Sequence, residues 1–313
     1  MNISVIIPYF NESSTIIQTL NELKDQSLKP KEVILVDSGS NDSTSQIINQ
    51  WIVDNNLKEK YKNIYSGKMS PSSSINLGLN NIKSEIIAYI DCGLAIPSDW
   101  LKKNLSLMIE NSSDIVSMRI HTVGTNIIDK SFIAQTYGYM QSTICLPGSL
   151  IKRSVFEKIG KFLENVRSGY DVDFVNRINS NNIKRTINYD LQSLSYRDIN
   201  YTDNLIHGFK KVFSYSLAGW KTVGDKKPIF YFSFIFLLFL SFLYGTTYLF
   251  LYFYLIVRGY IVPYIKSYKN YLFTIPSFII FLPISCLVID VARISGYLFS
   301  LFRTNQRDPG LKS

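Results

Sequence analysis

Along residues 1–200, short apolar runs recur, each stopped by turn-forming residues. Ser4-Val5-Ile6-Ile7 runs into Pro8-Tyr9-Phe10-Asn11-Glu12, Val33-Ile34-Leu35-Val36 into Asp37-Ser38-Gly39-Ser40, and Ile86-Ile87-Ala88-Tyr89-Ile90 into Asp91-Cys92-Gly93. Unbroken apolar runs of this length suit strands covered on both faces. A weaker strand is predicted over 63–66. Between the runs the spacing turns helical. Ile16, Ile17, Leu20 and Leu23 share one face behind Asn11 or Ser13 as cap, and Ile47, Ile48 and Trp51 follow Ser43-Thr44. Further helices are predicted around 74–81 and from Asp99-Trp100. Strand–helix alternation predicts an α/β fold with a mostly parallel central sheet and right-handed crossovers. Ligands of such sheets sit beyond the carboxyl ends of the strands. Asp37 and Asp91 each end a predicted strand there, so a ligand is the first role to consider for them.

The pattern loosens over 114–188, where a helix near Val155–Ile159 and another from Asp171 through Phe174, Val175 and Ile178 are predicted. The stretch 203–221 combines Phe209, Phe213, Tyr215 and Trp220 with Lys210 and Lys211, and reads as a helix lying on a membrane surface. From Ile229 to Val257 no residue is charged, and from Asn270 to Ile289 again none. Both runs exceed the roughly 20 residues that span a bilayer core. Two transmembrane helices are expected, with the first either tilted or broken near Gly245. The expected organisation is a catalytic domain over 1–200, an interfacial segment over 201–228, a membrane domain over 229–302 and a tail over 303–313.

Charge supports that arrangement. The net charge is +9, and much of the excess flanks the apolar runs. Lys210, Lys211, Lys221, Lys226 and Lys227 precede them, Arg293, Arg303, Arg307 and Lys312 follow, and Arg258, Lys266 and Lys269 are assigned to the loop between. The bias places both ends in the cytoplasm, with the loop pulling against it. The amino terminus reads as a strand rather than a signal segment, so an integral membrane protein with a cytoplasmic catalytic domain is expected. Three cysteines and two histidines give neither a disulfide framework nor a cysteine–histidine metal spacing. The basic residues do not interleave with stacking aromatics, which argues against a nucleic-acid partner. The sequence specifies no oligomeric state.

Several chemistries are excluded by missing signatures. No G-x-G-x-x-G follows the first strand, no G-x-x-x-x-G-K-[ST] occurs, and no histidine accompanies an exposed serine elbow. The motif order instead resembles family 2 glycosyltransferases of the GT-A fold, over roughly 3–215. The matching segments are Val5–Glu12, Val36–Thr44, Asn76-Leu77-Gly78, Leu146-Pro147-Gly148-Ser149 and Gly169–Phe174. Gln-x-x-Arg-Trp, which marks processive synthases, is absent.

The resemblance implies a nucleotide-sugar donor and an inverting displacement. Pro8, Asn11, Glu12, Asp37 and Ser40 would line the nucleotide pocket, and Asp91 would bind ribose or a divalent cation, Mg2+ or Mn2+. Gly148, Arg167 and Asp173 would lie on the acceptor side. Asp171 is the candidate general base, with Asp173 as competitor. The implied acceptor is a lipid-linked sugar or polyprenyl phosphate, held beside membrane lipids for cell-envelope glycan synthesis. Two departures from the family pattern stand out. Gly93 replaces the second aspartate of the metal motif, and Tyr170 replaces the glutamate before the base. They motivate an alternative, a non-catalytic nucleotide-sugar-binding scaffold or sensor in a membrane glycan assembly complex.

Overall fold

The computed structural model describes residues 1–122, 124–166, 168–189, 194–196, 202–217, 226–268 and 274–302. The chain forms two compact units, residues 1–120 with 144–199 and residues 121–143 with 200–310.

The first unit opens with β1 (Ile3–Tyr9), α1 (Ile16–Lys24), β2 (Glu32–Asp37), α2 (Thr44–Asp54), β3 (Tyr61–Tyr65), α3 (Pro71–Asn80) and β4 (Ile86–Tyr89). Next come β5 (Leu94–Ala95), α4 (Trp100–Glu110) and β6 (Ile115–His121). The chain then leaves for α5 (Ile127–Thr136) of the second unit, a detour that the expected 1–200 boundary does not contain. It returns as β7 (Ser142–Lys152), α6 (Arg153–Ile159), α7 (Tyr170–Ser180), β8 (Arg185–Ile187) and β9 (Leu194–Tyr196).

The sheet order is β3-β2-β1-β4-β7-β6-β9-β5, with β8 beside β6. β3, β2, β1 and β4 are mutually parallel, and β7 runs antiparallel to β4. Successive side chains of a strand point to opposite faces. Val5, Ile7, Val33 and Leu35 accordingly pack with Leu20, Ile48 and Trp100 of α1, α2 and α4. Ile6, Ile34 and Val36 pack with Ile75, Phe156 and Phe174 of α3, α6 and α7. Burial on both faces explains why these strands read as continuous apolar runs.

Some boundaries move for local reasons. α1 starts at Ile16 behind Thr15, not behind Asn11 or Ser13. Asn11 adopts φ +54 and, like Ser13, is engaged by the loop after β2. α3 starts at Pro71, three residues ahead of the predicted start, because Ser70 accepts the Ser73 N–H at 3.2 Å and proline suits a first helical position. β3 begins at Tyr61, two residues ahead of prediction.

The second unit adds α8 (Leu205–Ser216), α9 (Lys227–Leu243), α10 (Thr247–Tyr254), a π-helical stretch over Leu255–Ile261, α11 (Val262–Lys266) and α12 (Phe278–Leu301). The long apolar run does break where glycine allows it. Gly245 takes φ +66 and donates to Phe242 O at 3.1 Å, and Thr246 donates to Ser241 O at 2.8 Å. These two bonds close α9 as a Schellman motif. Two helical stretches remain long and apolar enough to cross a membrane, Thr247–Lys266 and Phe278–Leu301. Phe236, Phe239, Phe242, Tyr248 and Phe253 are exposed around them, the surface a bilayer would cover.

The assignment of charges needs correction. Arg258 and Lys266 do not lie in a loop, and Arg293 does not lie in a tail; all three are inside helices. Arg258 Nη2 donates to Asp290 Oδ1 at 2.9 Å, and Arg258 Nη1 donates to Gln135. Tyr231 and Tyr254 also donate to Asp290, at 2.6 and 2.9 Å. Lys266 Nζ donates to the Gln135 carbonyl at 3.1 Å. Charges inside apolar helices survive by such pairing. The carbonyl of Ile279, which the missing N–H of Pro283 leaves free in α12, accepts from Tyr260 at 2.7 Å. α8 buries Gly208 and Val212 against Phe132, Ile289 and Ala292 of α5 and α12. Lys221 and Trp220 of the expected interfacial stretch lie outside the described residues.

Candidate active site

Parallel pairing brings the carboxyl ends of β2, β1 and β4 to one edge. Tyr9 lies opposite Asp37, and Ile6 lies opposite Tyr89, two residues before Asp91. The loops beyond β1 and β2 are joined by hydrogen bonds. Asn11 Nδ2 donates to Asn41 Oδ1 at 2.8 Å, the Asn41 N–H donates back to Asn11 Oδ1 at 3.0 Å, and the Asn11 N–H donates to Ser40 Oγ at 3.1 Å. The Glu12 N–H donates to Thr44 Oγ1 at 2.9 Å, while the Glu12 carboxylate accepts from Thr15 at 2.7 Å. Burial pushes the Asp42 carboxyl up, but hydrogen bonds from Thr44 and Ser13 outweigh it and hold the group below the usual range.

Asp37 is buried, and its Oδ1 accepts from the Gly39 and Ser40 N–H groups at 3.1 and 2.8 Å. Gly39 holds φ +95, and a Cβ there would stand 2.9 Å from the Lys68 backbone. The turn is therefore packed onto the strand-to-helix connection that carries Lys68, an exposed residue. Tyr9 donates to Asn63 at 2.8 Å, and burial first, with Asp37 adding, pushes its phenol up to about 12.

Asp91 is gripped by two phenols. Tyr89 donates to Oδ1 at 2.5 Å, and Tyr196 donates to Oδ2. The Tyr170 hydroxyl lies 3.3 Å from that of Tyr89 and extends the network. Removal from water raises the Asp91 carboxyl above its ordinary range, the phenol hydrogen bonds oppose the rise, and the neighbouring charge of Asp171 adds to it. The two carboxylates thus share one field. Asp171 is exposed in the first turn of α7, whose N-cap, Gly169, has φ +83.

Asp173, two residues further on, has a different environment. It is buried and bonded to Arg177 at 2.7 Å, and Arg177 in turn donates to the Gly160 and Lys161 carbonyls. Gly148 is buried on β7 with φ +84, and its carbonyl accepts from the Trp100 indole at 2.8 Å. Pro8 is buried at the end of β1. Arg167 lies outside the described residues. Tyr89 and Tyr196 were not foreseen. Tyr89 had a signal, since it shares a strand face with Asp91; Tyr196, on a three-residue strand, had none.

The site offers a divalent cation little protein charge. Gly93, in place of a second aspartate, has φ +80 and donates its N–H to Thr19 Oγ1 at 3.3 Å. Among the described residues no three acidic, cysteine or histidine side chains converge. Magnesium often takes one or two carboxylates and fills its shell with water and phosphate oxygens. Asp91 meets that minimum.

Fold and rim together describe an α/β protein with acidic side chains at the carboxyl edge of a parallel sheet, the edge where ligands of such sheets sit. The model of the glycosyl transferase family 2 matches residues 4–160, and the chain belongs to that family. It is 30% identical over 139 residues to the poly(ribitol-phosphate) beta-N-acetylglucosaminyltransferase TarS of Staphylococcus aureus, a match covering 44% of this chain and 24% of TarS. This chain therefore corresponds to only a fraction of that relative's length. The structure of S. aureus TarS 1-349 with UDP-GlcNAc superposes with a TM-score of 0.51 at 16% identity, covering 98% of this chain and 93% of that one. The mannosyltransferase PcManGT of Pyrobaculum calidifontis, in complex with GDP-Man and Mn2+, superposes with a TM-score of 0.56 at 16% identity, covering 96% and 87%. The expected GT-A fold is thereby found, and a divalent cation is compatible with it.

Proposed function

We propose that the chain transfers a sugar, with inversion, from a nucleotide-sugar donor to a hydroxyl or phosphate oxygen of a lipid-linked acceptor in cell-envelope glycan synthesis. The observation that carries this reading is the hydroxyl run from Asp91 through Tyr89 to Tyr170, which ties the start of α7, with Asp171 exposed, to Asp91 while Asp173 is held by Arg177. An exposed carboxylate is free to take a proton from an incoming acceptor; one in a buried ion pair is not.

In this mechanism Asp171 removes the acceptor proton as the sugar's anomeric carbon is attacked from the face opposite the leaving nucleoside diphosphate. Pro8, Asn11, Glu12, Asp37 and Ser40 form the nucleoside side of the site; hydrogen bonds of Asn11 and Asp37 to Ser40, and of Glu12 to Thr44, fix these loops before substrate arrives. Asp91, oriented by Tyr89 and Tyr196, holds the ribose or a divalent cation. When bound, such a cation would neutralise phosphate charge. Gly148 belongs to the acceptor side. The exposed apolar helices support a membrane-bound acceptor such as a polyprenyl phosphate, and Lys210, Lys211, Lys226 and Lys227 support a catalytic unit on the cytoplasmic side. TarS, by its name, transfers N-acetylglucosamine to a poly(ribitol phosphate), a phosphate-bearing polymer.

The test is Asp171→Asn. Transfer should fall by about a hundredfold to ten-thousandfold, as removal of a general base implies, with nucleotide affinity nearly unchanged. Normal turnover by this variant would end the assignment.

A further inference from the structure

α7 begins at Tyr170 behind Gly169, an N-cap with φ +83 and no side chain to hold the first turn. The turn is anchored on either side of the exposed Asp171 and Val172. After them, Asp173 is bonded to Arg177. Before them, the Tyr170 ring meets Phe162 edge-on, with centroids 5.9 Å apart, and its hydroxyl lies 3.3 Å from that of Tyr89. Phe162 is a firm support. It is buried, its N–H donates to Asn76 Oδ1 at 3.1 Å, and its carbonyl accepts from Asn76 Nδ2 at 2.9 Å.

A phenol has one proton to donate, while its oxygen can also accept. Tyr89 gives its proton to the Asp91 carboxylate at 2.5 Å, so its oxygen accepts at the other contact and Tyr170 donates. A directed run of hydrogen bonds therefore leads from the first turn of α7 to Asp91, and bonds in such a run strengthen one another. The Tyr170 link, longer than the ordinary ~2.5–3.0 Å, is the one that a shift of α7 would make or break first. The family pattern has a glutamate at this position. An ionised glutamate only accepts, and would leave the Tyr89 oxygen without a donor. It would also set a second negative charge near Asp91. The exchange of glutamate for tyrosine thus suits the phenols that grip Asp91.

We propose that Tyr170 is a positioning residue of the transferase: its hydroxyl, donating to Tyr89, ties the first turn of α7 to Asp91 and so sets where Asp171 stands. The assignment rests on the reading of Asp171 as general base and adds a coupling to it. Whatever Asp91 binds, ribose or cation, draws on Tyr89 as well, and Tyr170 passes that pull to the helix that carries the base.

Tyr170→Phe tests this in the full chain in detergent, since it keeps the ring on Phe162 and removes only the hydroxyl. Amide exchange over 170–175, read by mass spectrometry, should slow when UDP or GDP binds wild type with Mn2+. In the variant the nucleotide should bind with unchanged affinity and leave that exchange unchanged. This readout needs no acceptor. For turnover, UDP-GlcNAc and GDP-mannose are supplied with farnesyl phosphate. The variant's kcat should fall about tenfold to hundredfold, the scale of a displaced reacting group, with donor KM and thermal unfolding near wild type. Added to Asp171→Asn, the substitution should cause no further loss, because it acts through Asp171. Tyr170→Glu, which restores the family's residue, should be at least as slow as Tyr170→Phe. Wild-type turnover in either variant, a further loss on top of Asp171→Asn, or exchange that responds alike in wild type and Tyr170→Phe would overturn the proposal. So would early unfolding of Tyr170→Phe with activity lost in proportion, the mark of a packing residue. A wild-type chain that binds no nucleoside diphosphate and no nucleotide sugar would instead overturn the transferase reading itself.

Discussion

The two units treat a carboxylate in opposite ways. In the first, Asp37 ends β2, Asp91 follows β4 and Asp171 stands in the first turn of α7. Asp91 is held by uncharged phenols, and Asp171 is left exposed. In the second, Asp290 sits within α12, bonded to Arg258 at 2.9 Å and to two tyrosines. Its charge is cancelled inside the protein. The difference teaches that an acidic residue beside an apolar run is not in itself a site. What matters is whether its partners leave the charge available.

Two substitutions test this contrast most strongly. Asp171→Asn should abolish most transfer while thermal unfolding stays close to wild type. Asp290→Ala should do the reverse first. It leaves Arg258 buried without its anion, and breaking such a pair costs about 3–5 kcal/mol. Thermal unfolding in detergent should drop sharply, and activity should fall only in proportion to folded protein. A stable Asp290→Ala chain that lost transfer would erase the contrast, because Asp290 would then serve the reaction.

Removing a phenol from Asp91 is the next step down. The Asp91 carboxyl is raised in the folded chain, so the folded state binds its proton more readily than the unfolded one. Its contribution to stability is fully present below the unfolded value of 3.8 and is lost as pH rises through the folded value. Tyr196→Phe removes a hydrogen bond that opposes the rise. The folded value moves further up and the penalty at neutral pH grows by about 1.5–3 kcal/mol, the worth of a hydrogen bond to a charged group. Wild type and variant should unfold alike near pH 3 and differ at pH 7, and the acidic limb of the transfer profile should shift to higher pH. A uniform loss at both pH values would make Tyr196 a packing residue only.

How much of this was visible in the sequence depended on range. Asp37 and Asp91 were legible because a buried strand writes its end locally, as an apolar run stopped by a turn. Asp171 came from the resemblance. Tyr196 was not legible, since a strand of three residues has no measurable period and is placed by pairing with distant strands. The detour through α5 is likewise a matter of tertiary packing. The charges of α12 were misplaced for a related reason. Hydropathy treats a charged residue as an edge, whereas Asp290 is neutralised by Arg258 from another helix, a pairing that no local window contains.

The helix break at Gly245 lies between these extremes and gives the smallest effect. A left-handed residue is a local demand, and glycine meets it without strain. A Cβ at Gly245 would meet nothing within 4 Å, so backbone conformation alone opposes substitution. Gly245→Ala should cost about 1 kcal/mol, and Gly245→Asn less, because asparagine tolerates this conformation. At Gly148 the backbone is also left-handed, but a Cβ would stand 2.4 Å from Leu194. Gly148→Ala should therefore cost clearly more than Gly245→Ala, and Gly148→Asn should show no relief, since a tolerant backbone does not remove a clash. If asparagine rescued both positions equally, strand packing around Gly148 would be looser than described. The first unit would then owe its rim to local turns alone, as the second owes its helix break.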